Sequence, residues 1–313
     1  MNMIIPPYLK AGDTIGIAAT ARKVKPHDIE KGIQFLENNG FKVVLCSNIY
    51  DEYFQFAGND ESRTKGLQEL LDHSEIKAII CARGGYGTVK IIDQLDFELF
   101  KANPKWLIGF SDVTVLHARI HTLEIGSIHG PMLVNLNEEN PSSGLYISSD
   151  SKNELIATLK GVSKEFSVHR HPLNSSVEKI NGRIFGGNLS VFYSLSGSVD
   201  GEIPENCILI LEDIDEYIYH FDRMIQWLQR SMQLSKLKGI VVGHLTKMKN
   251  LDENNPFGLT AEEILKSSAD LHHIPIMFGL PFGHESENYS FILGKEYTFT
   301  QHINNVSISD NQV

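Results

Sequence analysis

The chain has 313 residues, of which 42% are apolar, and 39 acidic residues outweigh 28 Lys and Arg to give a net charge of −11. That length exceeds what a single hydrophobic core usually serves, so two domains are expected. The acidic balance, with no basic run to offset it, argues against nucleic acid or an anionic membrane surface as a partner.

In chain order, Thr14–Ala18 reads as a short strand and Asp28 opens a helix carrying Ile29, Ile33 and Leu36 on one face, with Gly40 as its left-handed stop. Lys42–Leu45 is the next strand. Asn59 or Asp60 caps a helix whose Leu67, Leu70 and Leu71 face inward, and Lys77–Ala82 returns as a third strand. This alternation is the signature of a parallel sheet covered by helices, an α/β fold. The third strand runs into Arg83-Gly-Gly-Tyr-Gly87, followed by a predicted helix through Val89, Ile91, Ile92 and Leu95. Clustered glycines after a strand let backbone N–H groups approach a ligand, but the spacing matches neither nucleotide-binding fingerprint, and a plain tight turn is the commoner use of a bare Gly-Gly pair.

Trp106, Leu107, Ile108 and Phe110 form a continuous apolar run, as a buried parallel strand would. Val113, Leu116, Ala118, Ile120 and Leu123 then recur at helical spacing, which puts Ser111 at a strand-to-helix junction. A serine there serves as an N-cap, or it faces a cleft at the carboxyl edge of the sheet beside the Asp112 N–H. The stretch is not Gly-x-Ser-x-Gly, so an ordinary nucleophile elbow is not spelled out. The glycine turn and Ser111 end successive strands, so both are expected on one sheet edge.

From Asn137 to about Ile180 the composition turns polar. Glu138–Gly144 and Pro172–Ser176 read as exposed loops. The expected division is therefore residues 1–150, a linker over 151–180, and a second domain over 181–313. In that second part Gly182–Leu189 turns into a helix, Cys207–Leu211 is an apolar strand ending in the acidic run Glu212–Glu216, Phe221 to Met232 has helical spacing, and Leu237–Val242 and Ile274–Phe278 are strands. The acidic run reads as a solvated loop with a helix-capping Asp, and only one of its members need be anything else. His284 leaves the last strand in Gly279-Leu-Pro-Phe-Gly-His284, and as one of thirteen histidines it is not singled out by its chemistry alone. Cys46, Cys81 and Cys207 are odd in number and lie mostly in apolar runs, as reduced core residues do. The N-terminus lacks a basic n-region and an unbroken apolar h-region, and no stretch reaches membrane-spanning length. The sequence reads as that of an unexported, soluble protein.

Together, Ala82-Arg-Gly-Gly-Tyr-Gly87, Ile108-Gly-Phe-Ser-Asp-Val-Thr114, His129-Gly-Pro-Met132, Gly186-Gly-Asn-Leu189, Leu211-Glu-Asp213 with Phe221-Asp-Arg-Met224, and Pro281-Phe-Gly-His284 resemble the LD-carboxypeptidases, a serine peptidase family that also includes microcin C self-immunity hydrolases. The resemblance implies a Rossmann-like or flavodoxin-like N-terminal domain and a C-terminal mixed α/β domain of swivelling type, assembled as a homodimer, cytoplasmic, with no cofactor and no metal. It implies a triad in which Ser111 is the nucleophile, His284 the base and Glu212 the acid that orients it, with the N–H groups of Gly85 and Asp112 as oxyanion hole. The implied activity removes the terminal D-alanine from a muropeptide tetrapeptide in peptidoglycan recycling. Neither Ser111 nor its neighbours supply a base, so distant partners are required, and an interdomain cleft is a usual place for them. After His284 the chain departs from the family pattern with Glu285-Ser-Glu-Asn-Tyr289. Glu285 and Glu287 either bind a substrate ammonium group or form a solvated turn, and Arg83 is a candidate for the substrate carboxylate. Two other readings stand beside this one: hydrolysis of aminoacyl-nucleotide amides, and a non-catalytic small-molecule-binding protein of the same fold.

Overall fold

The computed structural model describes residues 3–137 and 145–310. The loop expected over Glu138–Gly144 lies outside the described residues. In chain order the elements are β1 (Thr14–Ala18), α1 (Pro26–Asn38), β2 (Lys42–Leu45), α2 (Asp60–Asp72), β3 (Ile76–Cys81), α3 (Glu98–Ala102), β4 (Trp106–Gly109), α4 (Thr114–Thr122), β5 (Ser127–His129) and α5 (Ser149–Leu159). There follow β6 (Glu165–His169), β7 (Lys179–Asn188), α6 (Leu189–Ser194), β8 (Cys207–Ile214), α7 (Ile218–Arg230), β9 (Leu237–Thr246), α8 (Ala261–Leu271), β10 (Ile276–Met277), β11 (Phe291–Leu293), β12 (Glu296–Gln301) and β13 (Asn305–Asp310).

Two compact units emerge, residues 1–162 with 286–293, and residues 163–285 with 294–313. The stretch expected as a linker is not one: its first part is the helix α5 of the first unit and its second part holds β6 of the second. Ser148 caps α5 by accepting from Ser151 N–H, so the polar composition there marks a helix start rather than a tether. The chain also returns to the first unit late, when β11 adds antiparallel to β5.

The first unit is a six-stranded sheet in the order β11-β5-β4-β3-β1-β2, parallel from β5 to β2. Successive strands run outward from β1 to β2 on one side and from β3 to β5 on the other, so the topological switch lies between β1 and β3. Ile15, Ile17, Ile79, Ile80, Leu107 and Ile108 are all fully buried, the continuous apolar pattern of strands covered on both faces. α1 starts at Pro26, two residues before the expected Asp28, because Pro suits a first helical position and Asp28 instead accepts the Lys25 N–H (2.7 Å). The helix expected through Val89–Leu95 is two short 3₁₀ turns, Thr88–Lys90 and Ile92–Gln94. Thr88 N–H is taken by the Asp112 carboxylate (2.9 Å), which pins the first turn, and the β-branched Val89, Ile91 and Ile92 have little preference for a regular helix.

The second unit is a seven-stranded sheet in the order β10-β9-β8-β7-β12-β13-β6, parallel over β7 to β10 and antiparallel from β7 to β6. β8 continues to Ile214, three residues past its apolar run, because β7 and β9 still pair with it: Asn188 is opposite Glu212 and Leu245 opposite Asp213. Glu212 and Asp213 are therefore fully buried strand residues, not a solvated loop. The last parallel strand is only Ile276–Met277, shorter than the expected Ile274–Phe278. Cys46, Cys81 and Cys207 are buried free thiols, and burial pushes them up to about 11, 12 and 12, out of reach of ordinary thiol chemistry. Among the described residues no helix is long and apolar enough to cross a membrane.

Candidate active site

In the first unit the functional edge is built by the loops that leave β1, β3 and β4. Ser111 does not cap a helix: Phe110 holds the N-cap position of the 3₁₀ turn Ser111–Val113, and Ser111 itself is left-handed at φ 61°. A non-glycine residue in that region directly after a strand is the strained strand-turn-helix geometry of a nucleophile elbow. Gly109 fits it for a steric reason, since a Cβ there would lie 2.8 Å from Val113 Cγ2. The sequence lacks the second elbow glycine, and Val113 occupies that place with its side chain in the core.

The elbow is held from below. The Gly109 carbonyl accepts from Gly130 N–H (3.0 Å) and sits 2.9 Å from His117 Nε2. A carbonyl can only accept, so Nε2 carries the proton, Nδ1 is the acceptor, and the Ser127 hydroxyl donates to it (2.8 Å). Burial drives the His117 imidazolium down to about 3, so the ring is neutral. This use of His117, and of Gly130 in the His129–Met132 motif, was missed from sequence.

The glycine turn lies against the elbow. A Cβ on Gly84 would be 3.5 Å from Ser111 Cβ and 3.1 Å from Met132 Cε, so a backbone without side chains is what brings the two loops together. Gly85 has φ 113°, a conformation that glycine tolerates and others do not. The two loops are also tied by charge: buried Asp112 accepts Thr88 N–H, and the fully buried Arg63 donates to Gly87 O (2.8 Å) and Thr20 O (2.5 Å) while pairing with Asp60. Burial raises the Asp112 carboxyl, and its bonds to Thr88 and Gly87 and the charge of Arg63 oppose that rise. Gly85 N–H and Asp112 N–H have no acceptor among the described residues, as an oxyanion hole requires.

In the second unit Glu212 and His284 meet: Glu212 Oε2 lies 2.6 Å from His284 Nδ1, with the carboxylate fully buried and the imidazole 13% exposed. Burial alone would lower the His284 pKa, but the charge of Glu212, its hydrogen bond and the charges of Asp213 and Glu285 together outweigh burial and hold it above the usual imidazole value. The bond fixes the proton of the neutral ring on Nδ1 and leaves Nε2 as the basic nitrogen. The close approach depends on Gly283, at φ 114°, where a Cβ would fall 2.9 Å from Glu212 Cβ. Next to Glu212, the Asp213 carboxylate faces the other way and accepts from Asn188 Nδ2 (3.1 Å), Ser190 N–H (3.0 Å) and Ile214 N–H (2.9 Å). Burial first, and the charge of Glu212 second, raise Asp213 well above the carboxylate range. The Gly186–Leu189 motif thus builds the strand end that carries the acid. Glu285 accepts from the Thr246 hydroxyl (2.9 Å), which commits one carboxylate oxygen, and Glu287 is exposed on the segment that returns to the first unit. No group of His, Cys, Asp and Glu that would hold a metal occurs among the described residues.

A left-handed serine elbow beside unpaired N–H groups, and an imidazole bonded to a buried carboxylate, are components of the serine hydrolase class. Comparison with known proteins narrows this. The family model for the LD-carboxypeptidase N-terminal domain matches residues 15–130 and that for the C-terminal domain matches residues 181–299. A probable murein peptide carboxypeptidase of Bacillus subtilis is 31% identical over 92% of this chain and 89% of the relative. The crystal structure of a muramoyltetrapeptide carboxypeptidase from Oxalobacter formigenes superposes with a TM-score of 0.83 at 27% identity, covering 96% of this chain and 99% of the other. A microcin C7 self-immunity protein of Escherichia coli is 25% identical over 96% of this chain and 94% of the relative. The chain belongs to the LD-carboxypeptidase family and is a serine-type carboxypeptidase.

Proposed function

We propose that the chain removes the terminal D-alanine from muropeptide tetrapeptides, with Ser111, His284 and Glu212 acting as one unit. Ser111 Oγ gives its proton to His284 Nε2 and attacks the carbonyl carbon of the scissile amide. The charge that develops on that oxygen is met by the N–H groups of Gly85 and Asp112. His284, now cationic and stabilised by Glu212, passes its proton to the departing amine of D-alanine, leaving an acyl-enzyme on Ser111. Water, deprotonated by the same imidazole, then cleaves the ester and restores the serine. No cofactor enters any step.

The observation that carries this reading is the buried Glu212–His284 pair, because a carboxylate with no exposure is retained at a strand end at a cost that packing alone does not justify. The setting is read as the cytoplasm and the assembly as a homodimer, with the recycling of cell-wall peptides as the role. The test is mass spectrometry of products from a tetrapeptide ending in diaminopimelate-D-alanine. Release of D-alanine is expected. Hydrolysis of an aminoacyl-sulfamoyl-adenosine with no action on the tetrapeptide would move the assignment to the immunity-type activity, and action on neither would favour a binding protein.

A further inference from the structure

The switch point between β1 and β3 is where an open parallel sheet offers a ligand crevice, and the loop after β1 was assigned nothing from sequence. That loop carries Arg22, whose side chain is exposed and lies across the glycine turn: a Cβ on Gly85 would be 2.6 Å from Arg22 Cδ and 2.8 Å from Nε. A side chain at Gly85 would therefore displace Arg22, and glycine itself is demanded by the φ of 113°. The loop is not a loose arm. It pairs with the 55–57 segment through Lys23 N–H to Gln55 O (3.0 Å), Ala57 N–H to Ala21 O (3.0 Å) and an Arg22–Phe56 bridge. Buried Asn48 clamps both segments by donating to Ala19 O (3.0 Å) and Ala57 O (2.9 Å), and Thr20 is bonded to Thr88 of the glycine turn (3.1 Å).

The same turn begins with Arg83, half-buried and two residues before Gly85. Burial lowers the Arg83 pKa first and the positive charge of Arg22 lowers it further, against an opposing effect of Asp28. Arg22 makes no ion pair with any described residue. The geometry therefore holds Arg22 against the turn that begins with Arg83, and a planar carboxylate suits guanidinium forks.

We propose that Arg22 and Arg83 together bind the free carboxylate at the C-terminus of the substrate, Arg22 being the specificity-determining member. This rests on the carboxypeptidase reading and explains why only a terminal residue would be removed. The first test compares Arg22→Gln and Arg22→Lys with the unaltered chain on the tetrapeptide and on its C-terminal amide. Losing a charge-assisted pair should raise KM for the acid about 10- to 100-fold with a smaller change in kcat, collapse the preference for acid over amide, and be partly rescued by Lys. An equal loss on acid and amide, or none on the acid, overturns the assignment. The second test needs no turnover: NMR titration with N-acetyl-D-alanine and its amide. The unaltered chain should bind the acid more tightly and Arg22→Gln should lose that difference. If both proteins bind the acid equally, the arginine assignment fails even when the peptidase assay succeeds, and if the difference is seen without peptidase activity, the assignment stands while the proposed substrate falls.

Discussion

Glu212→Gln is the most informative single change in the second unit. The substitution keeps the shape and removes the charge that faces His284 Nδ1 at 2.6 Å from a fully buried position. A charge-assisted hydrogen bond is worth about 1.5–3 kcal/mol net, or about ten- to a hundredfold in rate at roughly 1.36 kcal/mol per decade. The amide can also present a donor to Nδ1, which would trap the ring with its proton on the wrong nitrogen, and in the worked serine protease case that error costs about 10⁴-fold. We therefore expect kcat/KM on the tetrapeptide to fall by about 10²- to 10⁴-fold. The pH profile moves as well. His284 must be neutral to act as base, and although burial lowers its pKa, the charge and hydrogen bond of Glu212, with the charges of Asp213 and Glu285, hold it raised. Without the Glu212 charge its largest raising influence is gone, the His284 pKa falls, and the acid limb of kcat/KM shifts to lower pH. Steady-state kinetics from pH 5 to 9 measure both effects. A shift to higher pH, or near-normal turnover, refutes the reasoning.

Two further outcomes follow from the packing. His117→Leu leaves the Ser127 hydroxyl without its acceptor and takes one donor from Gly109 O, so urea denaturation at pH 8 should show a loss of about 1–3 kcal/mol. Because the folded pKa of His117, about 3, lies below the unfolded value, the native chain loses stability as pH falls below about 6.5, and the penalty of the substitution should shrink over that range. Gly283→Ala puts a Cβ 2.9 Å from Glu212 Cβ in a conformation at φ 114° that alanine resists. A displacement of about 1 Å at the base should lower kcat on the order of 100-fold, while circular dichroism retains the native spectrum. An active Gly283→Ala would show that the His284 loop tolerates movement.

Strands β1 to β4 and helices α1, α2 and α4 are legible because apolar runs, caps and glycine stops are local signals: Asn59 accepts Ser62 N–H where a cap is expected, and Gly40 is left-handed at φ 93°. The glycine turn and the elbow were expected on one sheet edge, and adjacent parallel strands β3 and β4 put them there. What composition hid was burial set by pairing at a distance. Glu212 and Asp213 looked like loop residues because acids rarely lie inside a sheet, yet β7 and β9 enclose them. The unit boundary was misread because polar residues at 148–154 cap and cover a helix, and because Ser286–Leu293 returns to a sheet begun far earlier in the chain. Arg22 and His117 carry no motif of their own, and only the strand order and the hydrogen bonds of the turn give them a role. The sequence does not spell out an elbow, for want of a second glycine, whereas Ser111 takes the left-handed conformation with Val113 in that place.

The central claim is that Ser111 and His284 act together, and it is tested most directly by the kinetics of Ser111→Ala, His284→Ala and the double variant on the tetrapeptide. Each single change should reduce kcat by on the order of 10⁴-fold or more, and the double change should cost little beyond either, because members of one catalytic unit are not additive. Near-normal turnover by Ser111→Ala, or losses that multiply in the double variant, would contradict the account.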